Sequence, residues 1–410
     1  MSKSKHKLSD AASQKIAMAH HRNDFLCNLK KFCDKTIGPN IFKFIPEKEL
    51  ENIYLLRSRP IKIRDTQNVP TEVFKDYKHI IPQLLRINFI DFGVGEISKI
   101  SLYDYFTTGL TIILYAGRIK TTDFKEAEAV KNAMSPLAAL AESEIYNEAW
   151  KKFFEITNSM GVLNNDLSSK LFVLKHEISI EVNGINGFYN CVDIYGLQTD
   201  KIQVTIKASN RPAFRIAMGL ATPEPHLEFL TLSPEDLGLP TVKPIDVFIQ
   251  SHALNRLSER LDGILLGVLH FNLFNSLKQL KFTKNKKDEY LFDYTIFGKK
   301  VGYLFGTIIN GNMIIRTFLF LTHDGTPEGN KLNNSTGLKK EDQKYLAIDK
   351  LSAFIHSDIS QNLLIKEIFI EAGCQSLFEI DDNIIYSQET LKEKSNASLI
   401  AQYLKLTPNQ

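Results

Sequence analysis

Cysteine is scarce in this chain and never closely paired. Among 410 residues only Cys27, Cys33, Cys191 and Cys374 occur, without a CxxC motif. That spacing signals neither a zinc site nor a disulfide framework. Reduced, buried thiols and a cytoplasmic location are the expectation. Long apolar runs are missing too. TGLTIILYAG is among the longest, well short of the roughly 18 residues a membrane helix needs, so no membrane association is expected. The first residues, MSKSKHKLSD, are polar and basic with no apolar stretch after them, which argues against a secretory signal. Excess charge of one sign is absent as well, since 50 basic and 47 acidic residues leave +3. The whole molecule is therefore no polyanion trap, and any nucleic-acid site must be a local patch. No cluster of metal ligands stands out, and neither a metal nor a cofactor is expected. DFGVGEIS holds Gly93 and Gly95 but Ser98 where a dinucleotide fingerprint needs its third glycine, so a tight turn is the better reading.

What the chain does contain is the composition of a folded protein, 43% hydrophobic and 24% charged. At this length two or three domains are expected. Apolar spacing at Ile16, Ala19, Phe25, Leu29 and Phe32 predicts a helix over about 10–36. Residues 121–160 read as helix, broken in two at Pro136 and stopped at Gly161. From 171 the period becomes two, in LFVLKHEISIEVNG and KIQVTIKA, which predicts strands. Six of the fourteen prolines then fall within 212–244, and such density predicts a connection between domains. Two helical stretches follow, 251–261 and 264–280. Three strand-like runs come next, YLFDYTIF, VGYLFGTII and NMIIRTFLFLTH. GKK joins the first two and Asn310-Gly311 the last two, the latter a strong hairpin signal. DGTPEGNKLNNSTG reads as a polar loop, and helical spacing returns over 340–372 and 387–405. The expected class is α+β. A helical N-terminal region (1–170) precedes a β-rich middle with its Pro-rich connection (171–245). A two-helix unit with an antiparallel meander (246–330) and a helical C-terminal region (331–410) complete the chain.

The stretch with chemistry in it is IQSHALNRLSERLDG, Ile249 to Gly263. Ser251 is a plausible N-cap, placing His252 in the first turn of a helix. His252, Arg256 and Arg260 are spaced i, i+4 and i+8 along one face, while Leu254, Leu257 and Leu261 form the apolar side. A helix N-terminus depresses the pKa of an imidazole and attracts anions. Guanidiniums add permanent forked charge, and an imidazole titrating near neutrality can pass a proton. Arg316 and His323 follow on the third strand run. Strict alternation places them on opposite faces, so both reach one site only if a bulge intervenes. Two basic runs, Arg57/Arg59/Lys62/Arg64 and Lys281/Lys284/Lys286/Lys287, are candidates for holding a phosphate backbone. Beside the second run, Phe282, Tyr290 and Phe292 offer rings on which unpaired bases stack. The competing structural reading has Arg256 paired with Glu259 or a strand carboxylate, and His252 as a capping or core residue.

SHALNRLSERL, with a second helix and a meander after it, resembles a family of small bacterial domains of unknown function. Their helix reads His-Ala-x-x-Arg-x-x-x-Arg. They are grouped with the RelE-like and colicin-type ribonuclease toxins, the barnase/EndoU/colicin/RelE fold. The resemblance covers about 246–325. It implies that His252, Arg256 and Arg260, the positions matching the motif, carry metal-independent RNA cleavage in a toxin-like or defence-related protein acting on tRNA or mRNA. In that chemistry a base takes the ribose 2′-OH proton and cations steady the charge growing on the phosphate. Two other readings stand beside it. One is a non-enzymatic interaction or regulatory protein with a protein partner, its His/Arg stripe structural. The other is a metal-dependent hydrolase, for which no ligand set is visible.

Overall fold

The computed structural model describes residues 10–181, 187–206, 209–285, 287–355, 358–380 and 397–403. Within them the protein is a mixed α+β structure that divides into two compact units. One comprises 1–160 with 174–195, the other 161–173 with 196–410. Lys286 of the second basic run lies outside the described residues, as do Asp381 and Asp382, adjacent carboxylates that read from the sequence as a solvated turn. No described helix is long and apolar enough to cross a membrane.

The first unit begins with the helix Asp10–Thr36, which buries Leu29 and Phe32 as the apolar spacing requires. The remainder is mostly helical, as expected, with three strands that its pattern did not mark. RSRPIKIRDTQ forms the strand Ser58–Gln67, parallel to Gly187–Gln198 in a three-stranded sheet. Its partner lies more than a hundred residues away, so no local signal marks it. DFGVGEIS closes the hairpin Phe89–Val94/Ile97–Ser101, with Gly93 and Gly95 at positive φ. A side chain at Gly95 would sit 2.4 Å from the Lys35 carbonyl. Between 121 and 160 there are three helices instead of two, Ala127–Ala133, Ser135–Leu140 and Ile145–Leu163. Pro136 opens the middle one, where its missing N–H costs nothing, and the last runs through Gly161.

The second unit is built on an eight-stranded sheet. Its order is Phe282–Lys284, Glu289–Ile296, Lys299–Ile309, Asn312–Phe320, Ile245–Gln250, Ser209–Arg215 and Lys201–Ile206, with Thr231–Leu232 also on Ile245–Gln250. The meander turns fall at Phe297-Gly298 and Asn310-Gly311, all at positive φ, as two-residue hairpins demand. Lys299 and Lys300 therefore belong to the second strand and not to a GKK loop. Two helices, Ser251–Arg260 and Leu266–Gln279, lie on the sheet and bury Leu254, Leu257, Leu269 and Leu273.

Two expectations change here. The Pro-rich segment is not only a connection, because its start is the strand Ser209–Arg215, inside the sheet. Pro212 is tolerated because pairing with Ile245–Gln250 begins at Ala213, so the proline lies past that neighbour's end. DGTPEGNKLNNSTG is likewise no loop. It holds the helix Pro327–Thr336, with Thr326 capping the Gly329 N–H, proline at its start and Gly337 in the left-handed region after it. The tail beyond it shares the unit's core through Leu351, Phe354 and Phe369.

His270, on Leu266–Gln279, is 5% exposed and its Nδ1 has no hydrogen-bond partner among the described residues. Burial depresses its pKa from 6.5 to about 4. The native state thus holds the ring neutral while the unfolded chain protonates it below 6.5. That contribution, at most roughly 3 kcal/mol, is complete above pH 6.5 and is lost as pH falls towards 4. Urea unfolding at pH 7 and pH 4.5 should show this loss, and His270→Leu should shrink the difference between the two.

Candidate anion-binding site

Gln250 ends its strand in an extended conformation, and the helix begins at the next residue. The N-cap is therefore Gln250 and not Ser251, and it makes no side-chain cap. With no loop between strand and helix, His252 is held in the first turn, directly over the sheet's end. The Gln250 side chain is 3% exposed, yet its Nε2 has no partner among the described residues. A buried amide left without a partner costs about 1–3 kcal/mol, which points to a group that satisfies it when the site is filled.

Gln250 and His252 line a cavity of about 370 Å³. Its other polar walls are Ser209 and Arg211, from the Ser209–Arg215 strand, and Arg316 and Thr317, from Asn312–Phe320; Ile206 and Phe305 supply apolar surface. Among the described residues no carboxylate lines it. Arg211 donates from Nε to Ser209 Oγ at 3.1 Å. The Arg316 guanidinium lies 5.3 Å from the Phe305 ring centroid. Neither arginine is within ion-pair distance of an acid among the described residues.

Arg316 owes its place to a bulge. Phe305 pairs with Thr317 and Gly306 with Ile315, so Arg316 is the extra residue between them. The bulge lets Arg316 and Thr317 line the same cavity, which strict alternation forbids. His252 is depressed below its ordinary pKa of 6.5, first by burial and then by Arg211 and Arg256, with Glu259 opposing. At neutral pH the ring is therefore free to accept a proton.

The expected His252/Arg256/Arg260 stripe does not hold together. Four residues advance a helix by roughly 400°, so Arg260 has turned about 80° from His252. Arg256 instead pairs with Glu259 at 2.5 Å, one turn along. Arg260 is an ion pair with the buried Asp349, and its Nη1 also faces the Asp349 carbonyl at 3.4 Å. Burial pulls the Arg260 pKa down, and Glu259 opposes that shift. His323 belongs with this second group. Burial lowers its pKa, Asp324 raises it, and Lys340, Arg260 and Arg256 lower it further. Its Nδ1 accepts the Gly325 N–H at 2.9 Å, so the Asp324 carboxylate 3.0 Å from the same nitrogen meets no proton there while the ring is neutral.

The lysine run is not at the cavity either. Lys284 ends the edge strand Phe282–Lys284, beyond Glu289–Ile296 and on the far side of the sheet order from Arg211. It pairs with Asp288 at 2.9 Å. Lys281 and Lys287 are exposed. The adjacent rings are not available to bases, because Tyr290 and Phe292 are fully buried and Phe282 packs on both. Sequence reasoning missed Arg211, Gln250, Ser209 and Thr317. Arg211 sat immediately before the Pro-rich segment, and only the strand register Gln250↔Ala213 brings it beside His252.

Among the described residues there is no group of three His, Cys, Asp or Glu able to hold a metal ion. Compared with family models, with curated proteins and with solved structures, the chain matches none.

Removing each arginine in turn should expose which one is structural. Arg260→Ala leaves Asp349 buried without its cation and should destabilise the protein by roughly 3–5 kcal/mol. Arg256→Ala breaks only a surface pair and should cost under about 1 kcal/mol. Denaturant melts of the two variants check the contrast.

Proposed function

We propose that the cavity takes a phosphodiester of RNA and that His252 is the base for its metal-independent cleavage. A single observation carries this reading: among the described residues, two guanidiniums without acids, a neutral imidazole and an unpartnered buried amide converge on one cavity with no carboxylate in its wall. Such a set attracts an anion and favours charge developing on it.

In the proposed step the ribose 2′-OH loses its proton to His252 while its oxygen attacks phosphorus. The bond from phosphorus to the 5′-oxygen breaks, leaving a 2′,3′-cyclic phosphate, and the 5′-oxygen takes a proton from solvent. Arg211 and Arg316 hold the non-bridging oxygens, and Gln250 Nε2 donates to one of them. RNA brings its own nucleophile, so the protein supplies only proton transfer and electrostatics. The resemblance to ribonuclease toxins supports the same chemistry and is the sole basis for a toxin-like or defence-related setting. It enters here with altered residues, Arg211 and Arg316 standing where the motif suggested Arg256 and Arg260.

One observation favours the second reading, a non-enzymatic interaction or regulatory protein: Arg256 and Arg260 are both neutralised by acids. Incubating the full chain with total RNA in EDTA separates the two. Cleavage with 2′,3′-cyclic ends is expected, constant from pH 7 to 8 and falling as His252 is protonated below about pH 6.5. His252→Ala should lower the rate by about 10²–10⁴ and Arg316→Ala by about 10²–10³. Arg256→Ala should stay within about threefold. Parent protein that leaves RNA intact, or His252→Ala that cuts equally well, refutes the nuclease and leaves the interaction reading.

A further inference from the structure

The first unit contains a second basic site, which the C-terminal cavity does not explain. The helix Asp10–Thr36 turns His21, Asn28, Lys31 and Lys35 towards a cleft of about 1330 Å³, spacing that places them along one helical face. The opposing walls bring Arg57, Lys62, Lys78 and Lys99. Among the described residues Asp24, Glu96 and Asp104 are the only lining acids, and the Asp104 carboxylate already accepts from Ser101 Oγ at 2.8 Å. Cations therefore dominate a cleft in a chain that is nearly neutral overall.

Arg57 is the most telling of them. It is 8% exposed, and its guanidinium lies 3.5 Å from the Tyr54 ring centroid and 5.7 Å from that of Phe25. It donates to the Tyr54 carbonyl. No carboxylate is within ion-pair distance of it among the described residues, although a buried charge ordinarily has such a partner. Lys31, Lys35 and Lys78 are exposed and likewise have no ion pair among the described residues. Phe89, on the rim, is 50% exposed.

We propose that this cleft binds single-stranded nucleic acid. Lys31, Lys35 and Lys78 hold successive phosphates, Arg57 anchors one anion at the floor, and Phe89 stacks on a base. The volume exceeds the roughly 300–1,000 Å³ of sites for single small ligands, which favours a strand over a mononucleotide. An exposed ring beside cations favours unpaired bases, whose faces are open, over a duplex. An acidic peptide would use the cations and leave the ring idle.

The probe is a fluorescein-labelled deoxythymidine 12-mer, which lacks the 2′-OH and so reports binding whether or not the C-terminal cavity cuts RNA. Anisotropy titrations with the full chain should show affinity falling with salt, at a log–log slope of about −0.7 per phosphate contacted. The variant Lys31→Ala/Lys35→Ala/Lys78→Ala, its folding confirmed by thermal melting, should bind at least tenfold more weakly and reduce that slope by about 2. Phe89→Ala should weaken binding about fivefold or more. A triple variant that binds like the parent overturns the proposal. So does equal competition by ATP or by a polyglutamate peptide of matching charge.

Discussion

One junction organises the C-terminal unit: the passage from the strand Ile245–Gln250 straight into the helix Ser251–Arg260. The strand is held on both sides, parallel to Asn312–Phe320 and antiparallel to Ser209–Arg215. Because both neighbours are hydrogen-bonded to it, their positions at its C-terminal end are set by register. Arg211 and Arg316 are delivered to that end from opposite flanks, and Gln250 and His252 close it from within. Leu254 and Leu257, buried beneath the helix, keep the first turn from swinging away. Functional groups at the end of a strand, next to a helix start, occupy a position where unpaired backbone N–H groups and side chains can meet an anion together.

Charge sorts the arginines of this unit into two kinds. Arg256, Arg260 and Arg215 lie against acids, Glu259, Asp349 and Asp246 respectively, and their charge is used within the fold. Arg211 and Arg316 face a cavity without one among the described residues. A guanidinium's forked donors suit a carboxylate and a phosphate equally well. Arg256 finds its acid on its own helix, whereas for Arg260 and Arg215 the partner comes from a distant segment that the carrying element does not determine. The first unit repeats the contrast, with Arg64 tied to Asp193 and Glu177 and Arg57 buried against two aromatic rings and the Tyr54 carbonyl.

Local patterns made much of the second unit readable. Alternation and the Asn310-Gly311 turn marked the meander, and the leucines of SHALNRLSERL marked the buried face of its helix. The helix Pro327–Thr336 carried its full set of boundary residues, Thr326, Pro327 and Gly337, although polar composition masked them. Elsewhere the decisive contacts were distant. Ser58–Gln67 has little alternation of its own and becomes a strand through pairing with Gly187–Gln198. Ser209–Arg215 looked like a linker because of Pro212, whose place beyond the end of a neighbouring strand cannot be read locally.

By itself the sequence determined element types over much of the chain, the near-neutral charge, and the presence of an imidazole at the start of an amphipathic helix. These depend on residues within a turn or two of one another, where steric preference and apolar period act directly. Apart from Arg256, whose i,i+3 partner Glu259 is visible in the sequence, the tertiary structure decided which cations remain available. Pairing Arg260 with Asp349 spans 89 residues, and the bulge that turns Arg316 towards His252 exists only between paired strands. Electrostatic partnership is a matter of ångströms in space, and spacing along the chain carries almost no information about it once strands from distant segments are brought side by side.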